Sequence, residues 1–556
     1  MMKRFLLAVI TVGLISSCSS GDQQVVDQSK KAKGDVYYGG VFRMNEVENF
    51  RSLFPLSIGD VVSHRIANQV YEGLVSFSQN DLTIQPRLAE KWEVSEDAMT
   101  YTFALRKGVK FQDDECFEGG KGREVTAGDF KYCFDRLCEA NSINQGFFVF
   151  KDRVKGADEF YESTVNGNPL EGGVSGVSVV DDNTLRIELK RPFASFLYML
   201  GTAFTYVYPK EAFDKYGLEM RVNCVGTGAF MIKELREDET IILAKNNNYW
   251  GKDSYGNQLP YLDALKFVFI KDKKAELLEF KKGNLDMVYQ LPSEMIDEVI
   301  MDLDQLDTNL TKDFKQYSLQ IVPSLTLHYF GFLHTNEVFD NHLVRQAFNY
   351  AIDRRKIVDF TLQGEGVAAV YGVVPPAFVN YSAESIKGFE YDPDRARKLM
   401  ADAGYSNGKG FPEMILQLNS GGTRNIQIAE VIQKMLTDNL NISVKLNVMP
   451  MAQHYANVES GKSLFWRAGW VADYPDPESF LNLFYSAHLP DDDTEKTYLN
   501  NVRYRSDVFD SLLVLALKTI DRDQRYELYK KADQQLIDDA VIMPLFYDEN
   551  IRLLQP

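Results

Sequence analysis

The sequence predicts an α/β protein folded into two or three lobes. Three observations carry that expectation. The chain has 556 residues, more than one ordinary hydrophobic core organises. Strand signals dominate its first half, and from Asn341 the pattern changes to helix alternating with strand, which builds an α/β lobe. Apolar content of 45% and charged content of 25% are those of a globular chain, so packed cores rather than a disordered polymer are expected.

The elements follow in order. Met1-Met2-Lys3-Arg4 is a positive leader, and residues 5–15 are an apolar run too short to span a membrane. Leu14-Ile15-Ser16-Ser17-Cys18 resembles a bacterial lipobox. It implies a lipoprotein signal peptide over residues 1–17, lipidation of Cys18, and a polar tether over residues 18–33. Tyr101, Phe103 and Leu105 alternate, as do Leu185, Ile187 and Leu189 after the Asp181-Asp182-Asn183 turn. Between them residues 125–140 read as a helix, with Thr126 as its cap before Asp129. GTGAFMIKEL, ETIILAKN and LDALKFVFI form a second strand-rich block. Val344, Ala347, Phe348, Ala351 and Ile352 recur at helical spacing, and residues 428–440 repeat it before the alternating strand Ile442, Val444, Leu446, Val448. A helical run over residues 506–539 ends in VIMPLFYD, read as a short strand. No internal repeat is visible.

Several kinds of chemistry are missing. The net charge of −18 is spread without a basic block, which argues against a nucleic-acid partner. There is no HExxH and no GxSxG, and GYSNGK at 404–409 is one residue short of a phosphate-binding loop. Gly226-Thr227-Gly228 reads as a turn. His328, His334 and His342 match no ligand spacing and read as core or surface histidines. Asp491-Asp492-Asp493 lacks the glycine of a calcium loop. Cys116, Cys133, Cys138 and Cys224 allow three disulfide pairings or structural thiols, but their spacing is not that of a zinc site. No cofactor, no metal and no enzymatic activity are expected.

The segments SHRIANQVYEGLV, IQPRLAEKWEVSEDAMTYTFALRKGVKFQD, REVTAGDFKYCFDR, GTGAF, KNNNYWG, YLDALKF, VRQAFNYAIDRRKIV and YDPDRARKLMADAGY occur in this order. Together they resemble the extracytoplasmic solute-binding proteins, family 5, which serve peptide ABC importers. The resemblance implies a two-lobed, periplasmic-binding-protein-like clamp (type II, the large peptide-binding class) with an inserted subdomain. Lobe I would take residues 34–79, 222–324 and 530–556, the inserted subdomain 80–221, and lobe II 325–529. It also implies a monomer at the cell envelope, held to the membrane by its lipid, that hands peptides to a permease and ATPase complex.

The stretch WRAGWVADYPDPESF places Asp473 between aromatic residues and ends in two prolines. In peptide-binding relatives a similar segment lines the cleft and its Asp pairs with the ligand's α-amino group. Asp473 matches that position, with Gly469, Trp470, Val471 and Tyr474 as walls. Arg467 matches an arginine used for the peptide carboxylate, and Arg424 lies near another such position; for both, a salt bridge within the lobe is an equal alternative. Gly59 stands where oligopeptide binders often carry a Glu. The rival readings are a nickel chelate, opine or oligosaccharide on the same fold, or a surface hydrolase or adhesin. An ammonium-pairing Asp473 favours peptides over a sugar.

Overall fold

In the computed structural model the described residues are 30–291 and 317–556, less 379, 421–422, 491, 493–494 and 498. Cys18, the signal segment and most of the tether lie outside them, as do Asp491 and Asp493 of the acidic loop. Among the described residues one mixed sheet of eleven strands runs through the molecule. Its first edge is the predicted strand-rich block, Phe230–Arg236, Thr240–Lys245 and Ala264–Val268, followed by Val41–Asn45 and Met287–Tyr289. Its other half holds Phe465–Val471, Met414–Asn419 and Val444–Met449. Two long antiparallel strands join the halves: Ser318–Phe332, the first crossing strand, and Ile542–Leu554, the second.

The residues inserted after the first strands form a separate antiparallel sheet, ordered Ala89–Val94, Thr100–Leu105, Thr184–Glu188 and Val177–Asp181. Its apolar alternation places Tyr101, Phe103, Leu185 and Ile187 inside. Helix Ala127–Leu137 packs beside it and starts with the expected device: Thr126 and Asp129 form a reciprocal capping box. Asp129 also takes a forked pair of bonds from Arg123, at 2.9 and 2.7 Å.

Packing ties the inserted residues and the closing segment to their neighbours. The inserted residues have no core of their own: Phe103, Phe130 and Ile187 share one cluster with Leu53, Ile66 and Phe267 of the flanking lobe. The closing segment contributes to three clusters. Tyr529, Leu536, Ile542 and Tyr547 pack with Tyr329, Trp466 and Phe480, while Met543, Leu545 and Phe546 pack with Phe332, Phe348 and Leu416. Only Ile551 and Leu553 join the small cluster around Phe280 and Val288 on the lobe I side. The closing strand is accordingly thirteen residues long rather than short. It runs on through Glu549-Asn550, past the VIMPLFYD that the sequence marks as strand. The helical run before it is two helices, Asp507–Lys518 and Arg522–Asp538; Asp521 caps the second by accepting from Gln524 N at 2.9 Å.

The crossing ladder is continuous from Ser318 opposite Leu554 to Pro323 opposite Glu549, then breaks and resumes at Leu327 opposite Tyr547. Pro323 brings no N–H to the ladder. The irregularity leaves Ser324, Leu325 and Thr326 facing the single unpaired residue Asp548. The four cysteines are all free thiols; Cys133 and Cys138 are buried.

Two buried carboxyls brace the second lobe. Asp533 accepts from the N–H groups of Val373 (2.7 Å) and Val374 (3.3 Å) and from the Tyr381 hydroxyl (3.2 Å), and Gly372 leaves the space it fills. Glu478 accepts from the Tyr474 hydroxyl. Burial pushes both up to about 7. A carboxyl raised in the folded state binds its proton more tightly there than in the unfolded chain. Its contribution is therefore complete below about pH 4 and lost as pH rises through about 7. We expect the urea midpoint of the ligand-free protein to fall between pH 5 and pH 8, with Asp533 alone contributing on the order of 2–4 kcal/mol. Asp533→Asn should flatten part of that slope. A midpoint that holds or rises over this range shows both groups already ionised.

Candidate functional site

The site is built on the strand Phe465–Val471, central in the sheet. It runs antiparallel to the first crossing strand and parallel to Met414–Asn419. Trp466 is fully buried against Gly331, where any Cβ would collide with the indole, so a glycine is required there. One residue on, Arg467 reaches the opposite face. Its Nη2 donates to His328 Nδ1 at 3.0 Å and its Nη1 to Asn419 Oδ1 at 3.3 Å. His328 Nδ1 therefore accepts, and its Nε2–H donates to Asp548 Oδ2 at 2.8 Å. His454 closes the underside, with Nε2 at 3.0 Å from the Arg467 carbonyl. Gly469 lies in register with His328, and a Cβ there would sit 3.3 Å from Nδ1.

Asp548, at the break in the crossing ladder, is the hub. Burial raises its carboxyl, but His328, Arg424 and Arg467 outweigh that and hold it below the usual range. Arg424 stands 3.5 Å from Asp548 and 3.6 Å from Glu365, over the Phe546 ring at 5.3 Å. Its charge is thus matched inside the protein. Arg467 differs: no carboxylate among the described residues comes within ion-pair distance, and burial lowers its pKa. It faces a cavity of about 260 Å³ with Tyr329, Tyr455 and Trp470.

After Val471, an exposed residue opposite Thr326, the chain leaves the sheet. Ser479 Oγ holds the turn, accepting from Asp473 N at 3.2 Å and from Trp470 Nε1 at 3.3 Å. Pro477 then leads into the short helix Glu478–Leu481. The Asp473 carboxylate accepts no hydrogen bond from the described residues. Its surface is still more than a third exposed. Even so, the surrounding protein removes enough water to raise its pKa, with no charge partner acting on it. It opens into a second cavity, of about 510 Å³, on the other side of Trp470. Tyr474 lines that cavity too, but most of its ring is buried in the first hydrophobic cluster. It is the point where the second lobe's loop docks on the first. Gly59 is far from open: a Cβ there would strike Gln145 Oε1, and Leu56 O accepts from Gln145 N at 2.8 Å.

Sequence reasoning thus names the strand and its two ends. It misses His328, Asn419, His454, Ser479 and Asp548. Only His328 carried a signal, through its alternating setting LTLHYF, which puts it on one face with Thr326 and Phe330. Among the described residues no group of three or more His, Cys, Asp or Glu could hold a metal ion. No described helix is long and apolar enough to cross a membrane.

Two lobes joined by a crossing strand pair, with an aromatic, charge-bearing cleft beside the crossing, define a solute-binding clamp. Comparison with known proteins agrees. Residues 83–488 match the model of the bacterial extracellular solute-binding proteins, family 5 Middle. The chain belongs to this family. It is 30% identical over 499 residues to heme-binding protein A of Haemophilus influenzae, covering 88% of this chain and 84% of that protein. It is 29% identical to the periplasmic oligopeptide-binding protein OppA of Escherichia coli, covering 92% and 88%. Among solved structures, DppA of Helicobacter pylori in complex with the peptide STSA superposes with a TM-score of 0.70 at 26% identity, covering 93% of this chain and 94% of that one.

Asp548→Asn should show how far the polar cluster holds the crossing together. The change leaves Arg424 with Glu365 alone and weakens the bond that orients His328. We expect a loss of about 1–3 kcal/mol, moderated by partial exposure of both partners. Urea unfolding checks it, and an unchanged midpoint would show that the cluster only decorates the ladder.

Proposed function

We infer that this protein captures peptides in the cleft between its lobes and delivers them to an ABC importer. Membership of the family and the likeness to oligopeptide- and peptide-complexed relatives support the class of function. One observation carries the peptide reading: Asp473 is a partly desolvated carboxylate with no ion pair among the described residues, beside Trp470 on a cavity between the lobes. Such a group raises the free energy of the empty protein and is relieved by an incoming cation. A peptide's ammonium satisfies it; a neutral sugar does not. Arg467, also without a carboxylate partner, is the complementary group for a carboxylate further along the ligand. Backbone pairing along the strand edge then holds peptides of varied sequence. The nickel-chelate, opine, oligosaccharide, hydrolase and adhesin readings gain no comparable support.

The protein works at the extracytoplasmic face of the cell envelope, as its family does. Our reading adds that it acts as a monomer tethered by lipid on Cys18, supported by the lipobox-like Leu14-Ile15-Ser16-Ser17-Cys18. A diacylated cysteine with an amide-linked chain meets the two-signal requirement for stable anchoring. Cys18→Ser should move the protein from the membrane to the soluble fraction, and unchanged fractionation removes the anchor.

The peptide reading is tested at Asp473. Asp473→Asn keeps shape and removes charge, so it should weaken binding of free-amino peptides by roughly 2–5 kcal/mol. N-terminal acetylation of the peptide should weaken wild-type binding similarly and the Asn variant much less, giving a coupling that distant effects do not produce. Affinity should also fall as pH drops through the raised Asp473 pKa, because protonation abolishes the ion pair. Calorimetry on the four combinations decides it. Equal affinity of wild type for acetylated and free peptides would leave Asp473 a turn residue.

A further inference from the structure

The cavity beyond Trp470 is formed by both sides of the molecule. Asp473 and His488 come from the second lobe, and Lys151, Arg153 and Arg191 from the inserted residues. These three cations share an unusual feature. None has a carboxylate within ion-pair distance among the described residues, although many lysines and arginines elsewhere on this acidic surface do. Arg153 is half-buried and fixed: its Nη1 donates to the Phe148 carbonyl at 2.7 Å, and its guanidinium lies 5.1 Å from the Phe193 ring centre. Lys151 and Arg191 are exposed. That Arg153 and Arg191 look into the same space is visible at His488. Burial first, then Arg153 and Arg191, lower its pKa, while its Nε2 contacts Asn482 Oδ1 at 2.8 Å.

Charge counting gives the consequence. The acidic side chains on the cavity are Asp152 and Asp473. Once an ammonium sits on Asp473, that carboxylate is neutralised, and three cations face one remaining acid. The side chain next to that ammonium is the first side chain of the peptide. We propose that this cavity receives the peptide's first side chain and that Lys151, Arg153 and Arg191 select an acidic one. The proposal rests on the peptide reading above and adds a specificity that Asp473 alone does not confer. Asp473 reads the terminal amine of any peptide; the cations read what is attached beside it.

The test compares Glu-Ala-Ala, Ala-Ala-Ala and Lys-Ala-Ala, all with free N-termini, by calorimetry on the full protein. Two or three partly exposed charge contacts, attractive for Glu and repulsive for Lys, should separate the first and last by roughly tenfold. The gap should shrink at about 1 M salt. The Lys151 and Arg191 side chains are exposed and make no described bond, so Lys151→Glu combined with Arg191→Glu should fold normally. That variant should reverse the order and bind Lys-Ala-Ala more tightly than Glu-Ala-Ala. Equal affinities of wild type for the three peptides, or an order unmoved by the double reversal, overturns the selection while leaving the peptide reading in place. No binding of any of the three overturns both.

Discussion

Everything in this molecule depends on two strands that must belong to both halves at once. Ser318–Phe332 and Ile542–Leu554 pair along almost their whole length, so neither half is free of the other. A continuous ladder would be stiff. The break between Pro323 and Leu327, with Asp548 left over opposite it, and a second register shift between His328 and Tyr329 put the soft points of the ladder beside the cleft. Lobes that swing about such points need no separate hinge domain.

The same break supplies chemistry. Asp548 is unpaired as backbone and is used as side chain, binding His328 and facing Arg424. His328 then takes a bond from Arg467, which borders the cleft. Three side chains, Asp548, His328 and Arg467, thus run from the crossing to the wall of the cavity beside Arg467. Movement at the ladder acts on the same bonds that position Arg467.

Much of the fold was legible because periodicity is a local property. The Tyr101, Phe103, Leu105 strand, the Thr126–Asp129 capping box and the change of pattern from Asn341 are written in adjacent residues. What was not legible is what depends on partners far away. Glu549-Asn550 is polar, and its pairing with Pro323 and Val322, over two hundred residues distant, carries the strand on past Asp548. Core membership near the closing strand follows the same logic: Tyr529 and Tyr547 are core because of where the chain returns. In the site, Asp473 and Arg467 could be named from the segment that holds them. Ser479, His454 and Asp548 could not, since each acts through a contact that no spacing announces. Arg424 shows the limit of matching by position: its residue type suits a ligand carboxylate, yet Glu365 and Asp548 already flank it.

The unpaired cysteines have a consequence for how such a protein is made. Cys133 and Cys138 are buried, and burial pushes Cys116 and Cys224 up to about 12. At neutral pH a thiol of that kind is thiolate only about one part in a hundred thousand, and thiolate is the species that oxidises or exchanges. A chain that reaches an oxidising compartment with Cys133 and Cys138 buried and Cys116 and Cys224 held protonated offers a disulfide catalyst little thiolate. Its maturation is then set by the speed of packing against the redox enzymes it meets. Any variant that slows burial around Cys133 or Cys138 would surface first as mispaired, crosslinked material rather than as lost affinity.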